Sequence, residues 1–151
     1  MQIIRLSPGD DTRFAKWLTL FGRVFDEPDT YTAAMPSAGY RDRLLADPNF
    51  IALAALEDGK LVGALAAYVL VKYEQERSEI YIYDLAVDEA RRRKGLGEAL
   101  VNETRRIAHD MGAWVVYVQA DYVDPPAVAL YTKLGAREEV LHFDMAPLKR
   151  G

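Results

Sequence analysis

The chain has 151 residues, a formal net charge of −4 and no cysteine. This length is typical of one domain, and we expect a single domain over residues 1–151. The acidic balance disfavours a general nucleic-acid-binding role, because such proteins usually carry an excess of positive charge. The absence of cysteine excludes disulfide scaffolds, thiolate metal sites and cysteine nucleophiles.

The residue pattern up to residue 87 predicts two helices and four strands. After a short strand at 2–5, a helix capped by Asp10 or Asp11 carries four apolar residues at helical spacing, namely Phe14, Trp17, Leu18 and Phe21. A loop containing prolines and a short helix at 40–46 follow. Strands are predicted at 49–56 and 61–73, joined by a turn at 57–60, and at 79–87, which is rich in Tyr and Ile.

The second half alternates helices and strands. We predict a helix at 96–111, an apolar strand at 113–120 that is buried on both faces, a helix from Pro125 or Pro126 to Leu134, and a last strand at 137–145. This order predicts a single-domain α/β fold with a mixed sheet. The first seven residues do not resemble a signal peptide, and the longest apolar run, 61–71, is far shorter than the roughly 20 residues that span a bilayer. We therefore expect a cytoplasmic protein with no membrane partner.

Positive charge is concentrated in Arg91, Arg92, Arg93 and Lys94, which precede Gly95-Leu96-Gly97. Of 19 positive and 23 negative residues, removing these four cations leaves a balance of −8. A glycine-rich turn that leads into a helix presents free backbone N–H groups to an anion. A dinucleotide fingerprint is incomplete because Leu100 stands where a third glycine is required, and no Walker loop is present. A solvated basic turn is the alternative.

The pattern Arg92-x-x-Gly95-x-Gly97 between a strand and a helix resembles the pyrophosphate loop of the GCN5-related N-acetyltransferases (GNAT). The resemblance implies the GNAT fold, a mixed sheet splayed at a bulged central strand with helices on both faces. It also implies acetyl-CoA as co-substrate, without a metal. By resemblance, the cofactor-binding residues are Leu85, Ala86, Val87, Arg92, Arg93, Lys94, Gly95, Leu96, Gly97 and Glu98. A backbone N–H near Leu85 is expected to polarise the thioester carbonyl.

The segment 124–135 resembles a later helix of the same family, with matches at Ala127, Leu130, Tyr131 and Gly135. By resemblance, Tyr131 is the general acid that protonates the departing thiolate; packing of the helix on the sheet is the alternative. Asp124 stands where the family usually has Asn, and we interpret it as the cap of this helix.

Longer stretches resemble the aminoglycoside 3-N-acetyltransferases of the gentamicin/fortimicin type. They are 50–55, 62–70, 77–87, 117–122, 126–135 and 137–144, whereas the first forty residues match less well. The resemblance implies acetylation of a cationic aminoglycoside, which confers antibiotic resistance, and a homodimer.

A protonated amine must be attracted and then deprotonated, which a carboxylate can do. Asp84 interrupts an apolar and aromatic strand, and we predict that it is the base or the amine anchor. Asp121 follows the next strand and is predicted to bind an ammonium group. Glu79, Tyr81 and Tyr83 are further candidates on the strand of Asp84. Asp84 as a bulge-stabilising carboxylate and Asp121 as a turn cap are the alternatives.

Several other readings stay open. The acceptor is alternatively another cationic amine, such as a polyamine, a protein lysine or an N-terminus, and a non-catalytic CoA-binding module is an alternative of another class. Glu138, Glu139 and Asp144 either line the cleft or form a solvated face. We interpret His109 and His142 as structural residues, since no spacing of His, Asp and Glu indicates a metal site.

Overall fold

Five strands form one mixed sheet in the computed structural model, which describes all 151 residues. The sheet has the sequential order β1 (Gln2–Arg5), β2 (Phe50–Glu57), β3 (Lys60–Val71), β4 (Ser78–Val87) and β5 (Val115–Val118). Successive strands are antiparallel except for β4 and β5, which are parallel. A parallel pair needs a crossover connection, and a helix provides it here.

The helices are α1 (Asp11–Val24), α2 (Pro28–Tyr31), α3 (Ala38–Ala46), α4 (Leu96–Asp110) and α5 (Pro125–Leu134), with a 3₁₀ turn at Glu89–Arg91 before α4. No helix is both long and apolar enough to cross a membrane. The chain divides into two compact units, residues 1–119 and 120–151. The first holds the sheet and α1 to α4, and the second holds α5 and the residues around it.

One face of the sheet packs against α1. The buried aromatic residues of α1 are Phe14, Trp17 and Phe21, and they meet small side chains from the strands, namely Ala52, Ala54, Ala64, Ala66 and Ala86. The indole N–H of Trp17 also donates a 2.9 Å hydrogen bond to the carbonyl of Leu53. Large helix residues and small strand residues therefore bring α1 close to the sheet.

The other face of the sheet packs against α4. The buried residues of α4 recur at helical spacing, at Leu96, Leu100, Val101, Thr104 and Ala108. A Cβ atom added at Gly63 of β3 would lie 3.1 Å from Cδ1 of Leu100, so the absence of a side chain at Gly63 permits this close packing. Helices therefore lie on both faces of the sheet, as predicted.

The structure differs from the sequence prediction in four places. The turn α2 was not predicted, and α3 begins at Ala38 because Ser37 caps it by accepting from the N–H of Tyr40. β5 is shorter than predicted and only partly buried, because it is an edge strand of the sheet. The last predicted strand, 137–145, does not form; residues 136–151 have no regular secondary structure. An alternating pattern favours a strand but does not supply the backbone partner that a strand requires.

Candidate active site

A β-bulge in β4 determines where the candidate base points. Ala66 of β3 pairs with Asp84, whereas the next residue, Ala67, pairs with Ile82, so Tyr83 is an extra residue in β4. In a regular strand Ile82 and Asp84 would share one face. The bulge instead turns Asp84 to the face of the sheet that carries Ala66 and α1.

On that face, the Asp84 carboxylate meets the end of α2. The hydroxyl of Tyr31 donates a 2.9 Å hydrogen bond to Oδ2 of Asp84, and the pair is partly buried. Burial raises the pKa of Asp84 above its ordinary value of 3.8, the hydrogen bond from Tyr31 opposes this rise, and the charge of Glu27 adds to it. Asp84 is thus a carboxyl group with a raised pKa and a defined donor, which is the environment expected of a general base.

Four tyrosines of the sheet form a cluster that includes Tyr83, the residue before Asp84. The Tyr83 ring, which is exposed, lies 5.7 Å from the Tyr68 ring and 5.8 Å from the Tyr81 ring. Tyr81 stacks on Tyr117 of β5 at 4.7 Å and donates a 2.8 Å hydrogen bond to Gln119. Burial raises the pKa of Tyr68, Tyr81 and Tyr117 above 10, so these phenols stay neutral near pH 7. Their rings form an aromatic surface suited to a cationic or sugar-like ligand.

Glu79 lies near the start of β4, away from the bulge. Its carboxylate lies 3.4 Å from Nζ of Lys72, in an ion pair that also includes Glu74. The structure therefore gives Glu79 a partner within the protein and places Tyr83, but not Glu79, next to Asp84 in the strand.

The strands β4 and β5 pair over only part of their length. Their register runs from Glu79 opposite Val115 to Ile82 opposite Val118, and β4 then continues to Val87 without a partner in β5. Leu85, Ala86 and Val87 thus have a β3 partner on one side and no β5 partner on the other. A strand edge of this kind can pair with the amide groups of an extended ligand.

The basic loop follows β4 directly. Arg91 pairs with Glu57 at 2.7 Å, and Arg92 lies 3.9 Å from Glu89. Arg92, Arg93 and Lys94 are exposed. Gly95 caps α4 with a φ of +76°, a conformation that favours glycine, and the first N–H groups of α4 follow at Leu96, Gly97 and Glu98. The Leu96 side chain is buried, so only its backbone is available to a ligand.

The second unit contains the remaining predicted residues. The Asp124 carboxylate accepts a 3.2 Å hydrogen bond from the N–H of Ala127, which confirms Asp124 as the cap of α5. Tyr131 lies on α5 and is partly buried, whereas Asp121 is exposed. Of the acidic residues at 138–144, Glu139 accepts hydrogen bonds from Tyr122 and Arg137, and Asp144 pairs with His142. All five of these residues are exposed.

Sequence reasoning missed Tyr31 and Glu27. The turn α2 has four residues, too few for a periodic pattern, and the only signal for it is Pro28 at the first helical position. The bond between Tyr31 and Asp84 joins residues 53 positions apart, a distance that no local pattern indicates. No group of three or more His, Asp or Glu residues lies close enough together to hold a metal ion.

Comparison with known proteins connects this geometry to a family. A model of the acetyltransferase (GNAT) family matches residues 13–136, which extend from the first unit into the second. Among solved structures, the chain is similar to an aminoglycoside acetyltransferase from an uncultured soil metagenomic sample. The two are 52% identical over 96% of this chain and 97% of that chain, with a TM-score of 0.94.

Two further relatives extend the comparison. A second soil metagenomic aminoglycoside acetyltransferase, whose crystal structure is a complex with sisomicin, is 35% identical over 96% of this chain and 95% of that chain, with a TM-score of 0.87. A streptothricin acetyltransferase from Streptomyces lavendulae is 29% identical over 73 residues. That match spans 48% of this chain and only 39% of the relative's length.

Proposed function

Because the chain belongs to the acetyltransferase (GNAT) family, we propose that it transfers the acetyl group of acetyl-CoA to an amine of an aminoglycoside antibiotic. The acceptor class is supported by the 52% identity to an aminoglycoside acetyltransferase over nearly the whole of both chains. The proposed position is the 3-amino group, the proposed location is the cytoplasm, and the consequence is resistance to the drug.

The observation that carries this proposal is the position of the Asp84 carboxylate. It is partly buried, has a raised pKa, and lies in β4 just beyond the last residue that pairs with β5. A carboxylate at this point can both attract an ammonium group and accept its proton, directly or through a water molecule. Proton removal is required because a protonated amine has no free electron pair with which to attack the thioester. Deprotonating the amine costs about 1.4 kcal/mol for each pH unit below its pKa.

The residues at 85–98 fit acetyl-CoA. The unpaired edge of β4 at Leu85, Ala86 and Val87 offers backbone groups to the pantetheine amides, and the N–H groups that begin α4 offer donors to the pyrophosphate. The exposed cations Arg92, Arg93 and Lys94 add positive charge beside those donors. Bound acetyl-CoA would supply the acetyl group as a thioester.

The chain's own residues have the following proposed roles. Asp84 takes the proton of the attacking amine, a backbone N–H near Leu85 stabilises the developing oxyanion, and Tyr131 gives its phenolic proton to the leaving thiolate. Asp121, Glu79 and Tyr83 are the proposed substrate-binding residues. We propose direct attack in a ternary complex, because a chain without cysteine cannot form an acetyl-cysteine intermediate.

The experiment that tests the proposal is turnover of acetyl-CoA with gentamicin, sisomicin and fortimicin. The release of the CoA thiol measures the rate. We expect transfer to at least one of them, and NMR of the product should locate the acetyl group on the 3-amino nitrogen. No transfer to any aminoglycoside at millimolar concentration would reject the acceptor class. Acetylation at another nitrogen would reject only the 3-N assignment.

A second acceptor class is supported by the partial match to a streptothricin acetyltransferase. Streptothricin and a polyamine therefore belong in the same panel, with product masses to identify the acetylated compound. The proposed homodimer is tested by measuring the mass of the protein in solution.

A further inference from the structure

We infer that Tyr31 is a positioning residue of the acceptor site, whose hydroxyl fixes the Asp84 carboxylate and holds it in the charged form that accepts a proton. The inference rests on the proposed function only for the role given to Asp84. Tyr31 and Asp84 lie 53 positions apart in the chain, so the bond that carries the inference is formed only in the tertiary structure.

The Tyr31 ring is itself held in place by α1. It stacks on Phe21 at 5.7 Å and contacts Phe25 at 5.8 Å. A Cβ atom added at Gly22 would lie 3.4 Å from Cβ of Tyr31 and 3.7 Å from Cα of Pro28. Gly22 therefore lets α2 pack directly on α1. The two aromatic contacts fix the orientation of the Tyr31 ring and hence the direction of its hydroxyl.

The hydrogen bond leaves one carboxylate oxygen for the substrate. Tyr31 donates to Oδ2 of Asp84 at 2.9 Å, and this bond does not use Oδ1. Oδ1 is then the oxygen available to an acceptor amine. Burial, followed by the hydrogen bond to Asp84 and the charge of Asp84, raises the pKa of Tyr31, so the phenol keeps its proton and remains a donor near neutral pH.

The ionisation of Asp84 is set by opposing effects. Burial and the charge of Glu27, which precedes α2, both raise its pKa, and the Tyr31 hydroxyl on α2 lowers it. Asp84 also interacts with Tyr68 on β3 and Tyr81 on β4, and both are neutral phenols near pH 7. Removing the Tyr31 hydroxyl would leave only effects that favour the protonated carboxyl.

The direct test is a carbon-13 NMR titration of the Asp84 carboxyl in the folded protein. The substitution Tyr31→Phe keeps the ring contacts with Phe21 and Phe25 and removes the donor. The control is Tyr73→Phe, since Tyr73 is 97% exposed and lies in the connection between β3 and β4. Asp84→Asn identifies the signal. We expect the Asp84 midpoint to move to higher pH in Tyr31→Phe and to stay unchanged in Tyr73→Phe; equal midpoints in wild type and Tyr31→Phe would overturn the inference.

A second variant keeps the test informative if Tyr31→Phe folds poorly. Glu27→Gln removes a charge that raises the pKa of Asp84 and should move the midpoint to lower pH, the opposite direction. No movement in Glu27→Gln would show that Asp84 does not respond to this end of α2, and would contradict the inference in the same way.

Kinetics separate this inference from the proposed function. At pH values on the acidic limb of the pH profile, kcat/KM for the aminoglycoside should be about tenfold lower in Tyr31→Phe than in wild type. At higher pH the two proteins should have equal kcat/KM. A tenfold difference corresponds to about 1.4 kcal/mol of proton-binding free energy. KM for acetyl-CoA should not change. Wild type without turnover rejects the proposed function, while the NMR result still decides the inference. Wild type with turnover and a Tyr31→Phe profile of the same shape rejects the inference alone.

Discussion

The Nε atom of Arg91 lies 2.7 Å from Oε2 of Glu57, so the first of the four consecutive cations is bound to the end of β2. The Nε atom has no aligned acceptor, and the contact is therefore an ion pair rather than a hydrogen bond. Arg91 ties the basic loop to the sheet, and the three cations after it are exposed. Four residues that look equivalent in the sequence therefore have two different environments.

This difference predicts two mutant phenotypes in the basic loop. Replacing Arg92, Arg93 and Lys94 together with Gln should raise KM for acetyl-CoA and reduce its dependence on salt, because screened attraction to the phosphates is lost. Arg91→Gln should have a smaller effect on KM and lower the free energy of unfolding by up to about 1 kcal/mol. Steady-state kinetics at low and high salt, together with urea unfolding, measure both effects.

The matched control for the basic loop is the double substitution of Arg105 and Arg106 with Gln. Both residues are exposed on α4, away from its first turn. KM for acetyl-CoA in this control should equal that of wild type. An equal rise in KM in the control would mean that the overall charge, and not the loop, attracts the cofactor.

Asp84→Asn should lower kcat/KM for the acceptor about 10²- to 10⁴-fold, because a carboxamide cannot accept the amine proton. KM for acetyl-CoA should stay close to that of wild type. Asp58→Asn is the control, since Asp58 lies in the exposed turn between β2 and β3 and has a φ of +48°, which Asn tolerates. Activity retained in Asp84→Asn would remove Asp84 from the role of base.

The same substitution makes a prediction for stability. The pKa of Asp84 is raised in the folded protein, so its ionisation favours the unfolded chain. Asp84→Asn should therefore have a larger free energy of unfolding than wild type at pH 7. The difference should shrink as the pH falls through the folded pKa of Asp84 and should vanish below 3.8, where the carboxyl becomes protonated in both states. Urea unfolding at several pH values tests this, and a difference that grows on acidification would refute it.

Tyr131→Phe should lower kcat about 10²-fold if the phenol protonates the leaving thiolate. The ring is kept, so packing of α5 should be preserved. The control Tyr122→Phe removes a hydroxyl from the same unit, one that donates to Glu139. Unchanged kcat in Tyr131→Phe over the whole pH range would exclude the residue as general acid.

Gly63→Ala should destabilise the protein by about 1–3 kcal/mol, because the new methyl group would lie 3.1 Å from Cδ1 of Leu100 and 3.2 Å from Cβ of Ala55. Gly39→Ala is the contrasting substitution. Gly39 lies in α3, and an added Cβ would meet only the flexible end of Arg43 at 3.4 Å. Alanine there should stabilise by up to about 1 kcal/mol through its higher helix propensity. Urea unfolding of both variants should give changes of opposite sign.

The sequence by itself predicted most of the local structure. The apolar stripe of α4, the hairpin of β2 and β3, the Tyr-rich β4 and the cap at Asp124 are all encoded within short segments, and all four form. These features are local because each depends on the propensity, periodicity or turn chemistry of neighbouring residues. The family, too, is indicated by short stretches of sequence, and the match of the family model confirms it.

The tertiary structure decided what depends on distant partners. The strand predicted at 137–145 did not form, since alternation does not supply a neighbouring strand. The bulge at Tyr83 is defined only by pairing with β3, and it turns Asp84 to the face on which Tyr31 lies. Arg91 differs from Arg92 because Glu57 lies beside it. The sequence thus shows which residues carry charge and predicts their acid–base roles, whereas packing across the sheet determines their neighbours and hence the direction in which the pKa of Asp84 is shifted.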